Sequence, residues 1–426
     1  MWLLIFVSIV ILVIFISVLK LQPFISFLLV SLGLGIAYGL EMPLLMESIQ
    51  KGIGTTLGSI IPIIILGAMI GKIVAKSSAT TVLADTLVAK FGPKNLPFAF
   101  MLIGFIVGLP LFYSVAFLLM APLVLSTAQR HHINAVYLGI PMLASLSITQ
   151  GFLPPHPAPY YLVTHLPGAD MGITLGLGIL ISIPAMLLSG WLFGKTLKHI
   201  PSTPMKFVSE ETTENLPGIG VSIFVLLLPV VLIAFHSFKI HPIMSFLGEP
   251  MVALLIALVF AIYFLGFKRK IRWAEMQGWM MDAIKEVSPL ILTFGGAGAF
   301  KEIFQVMHVG DEIMRITAEG TMNPLIIAWL IAAALRIVTG SSTVAGITTA
   351  GLILPILVRT GVNPNLLALS IGAGSMVMSH VNDAGFWLFK EYFGVTVKDS
   401  LRSWTVMETI LAVVGLMGVL VLERLF

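Results

Sequence analysis

Ser341, Ser342 and Thr343 stand in a row behind Gly340, inside a largely apolar stretch, Pro324 to Val358, whose one charge is Arg336. Three hydroxyls can donate to the oxygens of a carboxylate or a polyol, and a guanidinium can hold a carboxylate through two parallel bonds. A charge inside an apolar segment is expensive and marks a functional candidate, or a structural ion pair with a partner such as Asp383. Asp383 belongs to a second polar group, Ser379-His380-Val381-Asn382-Asp383-Ala384-Gly385. His380 and Asp383 together could take up and relay a proton, or could simply hold that segment in shape. Gln150 and His156 flank a proline-rich run, and Tyr113 and Ser114 follow Gly108-Leu109-Pro110. This chemistry binds and releases a small organic anion and a proton; it breaks no covalent bond.

The segment Pro324 to Val358 has 35 residues. As one helix it would run roughly 50 Å. That is too long for one crossing of a ~30 Å hydrocarbon core and too short for two crossings and a turn. A hairpin fits, entering the bilayer, turning at Gly340–Thr343 and leaving by the same face. Non-helical backbone at that depth needs cover from protein or a water-filled cavity. Residues 97–129 carry no charge and break at Gly108-Leu109-Pro110, which predicts a second hairpin with Tyr113 and Ser114 at its tip. Residues 134–163 hold four prolines between Pro154 and Pro159. These interrupt the hydrogen-bond ladder, giving two half-helices with an unwound centre. Residues 363–393, interrupted at Ser379–Gly385, read the same way.

The chain around them is 58% hydrophobic and 10% charged, against about 25% charged in soluble domains. The predicted fold class is therefore an all-α polytopic membrane protein. Spans are predicted at Trp2–Val18, with the N-terminus outside, Pro23–Leu40, Gly54–Ile70, Met171–Phe193, Ile219–Phe235, Met251–Phe267, a shorter Val287–Phe300, and Trp404–Leu422. Ser78–Phe91 and Lys301–Ala318 read as amphipathic arms. Residues 1–198 form a first repeat, 199–217 a cytoplasmic linker and 218–426 a second repeat. At an offset of 228, Ser114 meets Ser342 and Ser147 meets Ser375; one residue further, Arg130 meets Arg359 and Asn134 meets Asn363. Each half has an odd number of crossings, so the second is inverted. That topology puts Lys20, Lys72, Lys94, Arg130, Lys195, Lys268 and Lys398 inside. Inverted repeats with broken helices are a secondary-transporter architecture with the site at the midplane.

The chain has no cysteine, so disulfides and thiol chemistry are excluded. It has no G-x-x-x-x-G-K-[ST] loop and no H-E-x-x-H, so neither a P-loop ATPase nor that metalloprotease is expected. No enzyme activity, cofactor, metal or nucleic-acid partner is expected; the formal charge of +4 sits in loops. His131 and His132 beside Arg130 read as solvated.

Gly151-Phe-Leu-Pro-Pro-His-Pro-Ala-Pro159, Arg336-Ile-Val-Thr-Gly-Ser-Ser-Thr-Val-Ala345 and Ser379-His-Val-Asn-Asp-Ala-Gly-Phe-Trp387 together resemble the gluconate permease (gluconate:proton symporter) family, within the ion transporter superfamily. The resemblance covers essentially the whole chain. It implies proton-coupled uptake of gluconate or a related sugar acid across a bacterial inner membrane. It also implies a homodimer and elevator-type movement of a transport domain against a scaffold. Ser341-Ser342-Thr343 is similar to the carboxylate-binding hairpin tips of superfamily relatives, whereas the first tip, Leu109 to Ser114, departs from that pattern. A D-serine or glycerate symporter of the same family is the alternative. A channel, which also uses re-entrant hairpins, is a further one.

Overall fold

Prolines and capping side chains set most of the helix starts. Gln22, Asn134, Asp170, Asn323, Ser341, Asn363 and Asp383 each accept a hydrogen bond from a backbone N–H in the first turn of the helix that follows, satisfying donors a helix cannot satisfy itself. The computed structural model describes residues 2–92, 95–203, 216–236, 242–308, 322–381 and 383–425, and among them every regular element is a helix. In order these are α1 Trp2–Val13, α2 Pro23–Tyr38, α3 Met42–Lys76, α4 Ala79–Phe91, α5 Leu96–Gly108, α6 Tyr113–Arg130, α7 Ala135–Phe152, α8 Pro157–His165 and α9 Met171–Lys195. Then follow α10 Ile219–His236, α11 Pro242–Leu247, α12 Pro250–Arg269, α13 Trp273–Val306, α14 Pro324–Thr339, α15 Ser342–Thr360, α16 Pro364–Gly374, α17 Ala384–Phe393 and α18 Val397–Leu425.

Both hairpins are helix pairs with a short break, α5/α6 and α14/α15, and both interrupted helices are present, α7/α8 and α16/α17. The order long helix, hairpin, broken helix, closing helix occurs twice. The letters aligned between the halves have a structural reason. Asn134 and Asn363 are the N-caps of α7 and α16. Arg130 and Arg359 sit in the last turns of α6 and α15, where a cation suits the helix dipole. Among the described residues, five helices are long and apolar enough to cross a membrane by length and composition. Leu180, Ile183, Leu255, Val259, Met417 and Val421 point outward from three of them, as a lipid solvent favours.

Three expectations change. The third span is not Gly54–Ile70 but the 35-residue α3 from Met42. The short span Val287–Phe300 is the middle of the 34-residue α13. The second arm does not begin at Lys301: Lys301 to Val306 complete α13, and residues 309–318 lie outside the described residues, as do Lys94 and most of the 199–217 linker. One cause covers the first two changes. Charges that suggested loops are neutralised across two antiparallel helices. Lys51 Nζ lies 2.6 Å from Glu302 Oε1, and Lys72 pairs with Glu286 nearer the other end. Between those pairs the backbones touch. A Cβ at Gly52 would meet Gly298 O, and would stand 2.9 Å from Ala299 Cα.

A similar close approach joins the broken helices. A Cβ at Gly372 of α16 would run into Gly151 O of α7. Each hairpin is also keyed to the half-helix that follows it. A Cβ at Gly104 of α5 would lie 2.7 Å from Met142 O of α7, and Ser370 of α16 donates to Leu325 O of α14 at 2.6 Å. The first unwound segment, Leu153 to His156, is thereby buried inside the protein, whereas Met378 and Val381 of the second stay exposed.

Candidate functional site

The chain ends α14 by turning at Gly340, which has φ +71° and donates its N–H to Arg336 O at 2.9 Å. Ser341 then caps α15, its Oγ accepting from Val344 N at 3.3 Å. A left-handed backbone costs a residue with a Cβ about 1–2 kcal/mol, less for asparagine. Gly340→Ala is accordingly expected to lower the melting temperature of the detergent-solubilised protein more than Gly340→Asn does. The reverse order would show that packing, not backbone strain, selects the glycine.

The turn opens onto a cavity of about 350 Å³. Tyr113 and Ser114 line it from the start of α6, Thr339 to Thr343 from the second hairpin, Gln150 and Ser147 from α7, and Arg336, Asp383, Trp404 and Glu408 from the surrounding helices. Three helices begin at its wall: α6, α15 and α17. Their free N–H groups and dipoles favour negative charge there. Gln150 Nε2 donates to Ser342 Oγ at 3.4 Å, tying the first broken helix to the second tip. Since Ser342 Oγ accepts there, its own proton is free to donate elsewhere. Gln150 Oε1 has no partner among the described residues.

Arg336 is only 3% exposed and donates from Nη2 to Asp383 Oδ2 at 2.5 Å. Asp383 accepts further from Ser379 Oγ and, at 2.9 Å, from Gly385 N, which makes it the N-cap of α17. Trp404 Nε1 donates to Ser379 Oγ at 2.7 Å, extending the network to α18. Each hydrogen-bond partner of the carboxylate among the described residues is a donor. The pair fixes the end of α14 to the start of α17, so the second tip and the second break are one unit.

Of the residues singled out in the sequence, Tyr113, Ser114, Gln150, Arg336, Gly340, Ser341, Ser342, Thr343 and Asp383 meet at the cavity. His156 does not line it. Its ring nitrogen Nε2 lies 2.6 Å from Gly108 O, at the break of the first hairpin. His380 Nε2 lies 3.1 Å from Ile337 O, rather than on Asp383. Asn382 lies outside the described residues. The second break is also longer than Ser379–Gly385, because α16 already ends at Gly374. Sequence reasoning missed Glu408, Ser147 and Trp404. For Glu408 a signal existed, since it is the one charge between Trp404 and Leu422, the same property that drew attention to Arg336.

The model of the family described as GntP family permease matches residues 1–425. The chain is 40% identical over 429 residues to the high-affinity gluconate transporter of Escherichia coli, covering 98% of each chain. It is 40% identical over 448 residues to the gluconate permease of Bacillus licheniformis, covering 100% of this chain and 99% of that one. It is 39% identical over 412 residues to the Gnt-II system L-idonate transporter of Escherichia coli, covering 94% of each. Among solved structures, the YdaH transporter of Alcanivorax borkumensis superposes with a TM-score of 0.65 at 15% identity, over 95% of this chain and 98% of that one. That likeness is one of fold alone.

Proposed function

The chain belongs to the GntP family of permeases, and on that premise we propose that it takes up gluconate, or a closely related sugar acid, across a bacterial inner membrane together with a proton. The observation that carries this reading is the meeting of both hairpin tips at one cavity. Gluconate has a carboxylate at one end and a hydroxyl on every other carbon. The helix N-termini at Tyr113–Ser114 and Ser342–Thr343 suit the anionic end. The hydroxyls of Ser341, Ser342 and Thr343 and the unpartnered Gln150 Oε1 suit the polyol. Gluconate and idonate, named for the relatives above, share that pattern and differ in configuration, so they ask for the same set of groups.

The repeated element order and the opposed packing of α3 and α13 support two inverted repeats, 1–198 and 218–426, joined by the 199–217 linker. In the elevator reading α3 and α13 belong to the scaffold of a homodimer, and the hairpins and broken helices move against it. Across the contact between those sets, Lys301 of α13 lies with its Nζ 5.7 Å from the Tyr161 ring of α8. The sequence assigned proton coupling to His380 and Asp383. A proton arriving at Asp383 would have to displace the Arg336 guanidinium, so the geometry favours Asp383 as the anchor of that arginine. His156 supports the first break from outside the cavity.

Uptake of labelled gluconate into proteoliposomes, with an imposed pH gradient and a clamped potential, tests the reading. Accumulation that follows the proton gradient is expected; uptake indifferent to it, or uptake that needs sodium, overturns coupling. Excess unlabelled D-serine or glycerate is expected not to compete. Ser342→Ala removes one hydroxyl from a desolvated site, a loss of about 1–1.5 kcal/mol. That corresponds to a KM raised roughly tenfold with insertion unchanged. Asn382→Ala is expected to lose uptake as well. Wild-type affinity in both variants would place the substrate elsewhere.

A further inference from the structure

Glu408 is 1% exposed, on the wall of the cavity, and no part of the network around Asp383 uses it. Ser147 Oγ donates to its Oε1, and its Oε2 has no hydrogen-bond partner among the described residues. A buried carboxylate oxygen without a donor is an anomaly; a carboxyl O–H is a donor in need of an acceptor.

The charges at the cavity give that anomaly a role. Arg336 is neutralised by Asp383. Adding an ionised Glu408 leaves the site with one net negative charge, which repels an anionic substrate. Adding a proton at Oε2 leaves the site neutral. Anion and proton then favour each other's binding, and the coupling is reciprocal by linkage. Among the described residues, few titratable groups lie around Glu408. Tyr113 of α6, Arg336 of α14 and Asp383 lie within electrostatic reach of Glu408. Of the helices packed on α18, α16 carries no titratable group, α7 carries Tyr137 near its far end, and α9 carries Lys195 at its last residue. α17, packed on the first turns of α18, carries Lys390, Glu391 and Tyr392; Lys390 pairs with Glu391, and Tyr392 packs on Phe117 of α6.

We propose that Glu408 is the proton-binding site of this permease, held in place by Ser147, and that the proton bound at its Oε2 is the one that travels with the anion. The proton comes from water on the entry side, forms the Oε2–H bond, and returns to water on the exit side when the substrate leaves. No other bond is made or broken. This rests on the symport reading above.

The test compares wild type with Glu408→Gln, which keeps the shape and the neutral charge of the protonated state. Wild type is expected to accumulate gluconate under an inside-alkaline gradient and to take up protons from weakly buffered medium on binding gluconate. Glu408→Gln is expected to lose both, a fall in accumulation to the equilibrium level, while gluconate–gluconate exchange across the membrane persists. Accumulation by Glu408→Gln in response to the pH gradient overturns the assignment. A wild type that ignores the pH gradient sinks the symport reading instead. Should Glu408→Gln fail to fold, Ser147→Ala is expected to shift the pH profile of gluconate binding. Ser145→Ala serves as control, because Ser145 bonds Pro141 O one turn away. An unchanged profile in Ser147→Ala would equally overturn the proposal.

Discussion

Arg336→Met is expected to destabilise the protein by about 3–5 kcal/mol and to abolish uptake, because it leaves a carboxylate that is only 17% exposed without its cation. Asp383 keeps Ser379 and Gly385 N as donors in that variant, but neither carries charge. Asp383→Asn is the complementary break. Asparagine still caps α17, so the helix start is preserved, yet the Arg336 guanidinium, whose Nε has no partner among the described residues, loses its counter-charge. The double variant Arg336→Met/Asp383→Asn carries neither charge and should recover most of the stability lost by either single change. It should not recover uptake, since the ion pair no longer fixes the Gly340 turn to the start of α17. Melting temperatures in detergent for the four proteins give the coupling directly. Single losses that simply add in the double variant would mean that the two side chains do not act as a pair.

That network also marks how far the sequence could be read. The helix pairs were legible because a segment of intermediate length with at most one charge has few ways to sit in a bilayer, and because Gly108-Leu109-Pro110 and Gly340 end helices on their own. The breaks were legible for the same local reason. What stayed hidden depends on partners far away in the chain. Glu47 and Lys51 look like a loop to any local rule, yet they lie on α3, where Lys51 meets Glu302, 251 residues later. The full length of α13 was lost in the same way, through Glu286 and Glu302. His156 looked like a ligand because it is a polar residue among prolines; only its contact with Gly108 O distinguishes a support from a site. Glu408 was passed over because it falls in a span that is otherwise an ordinary membrane helix. A rule that treats every lone intramembrane charge as a functional candidate would have found it together with Arg336.

The crossing of α3 and α13 should be as intolerant as the ion pair. Gly298→Val is expected to abolish recovery of folded protein, and Gly52→Ala to lower the melting temperature sharply. A Cβ at Gly298 would stand 2.7 Å from Thr56 Cβ and inside contact distance of Gly52 O. One at Gly52 would stand 2.8 Å from Glu302 Cβ and press on Gly298 O. Backbone atoms cannot rotate away as a side chain can, so the helices must separate. Overpacking in a tight interface costs about 1–3 kcal/mol and more where backbone must shift. Separation would also stretch the Lys51–Glu302 and Lys72–Glu286 pairs on either side. The same helix supplies the control. A Cβ at Gly54 or Gly58 meets nothing within 4 Å. Gly54→Ala and Gly58→Ala should therefore be neutral or stabilising, by up to about 1 kcal/mol from helix propensity alone. If Gly52→Ala melts no lower than Gly54→Ala, the two long helices are not held at van der Waals distance. The scaffold against which the tips are proposed to move would then have to be sought elsewhere in the fold.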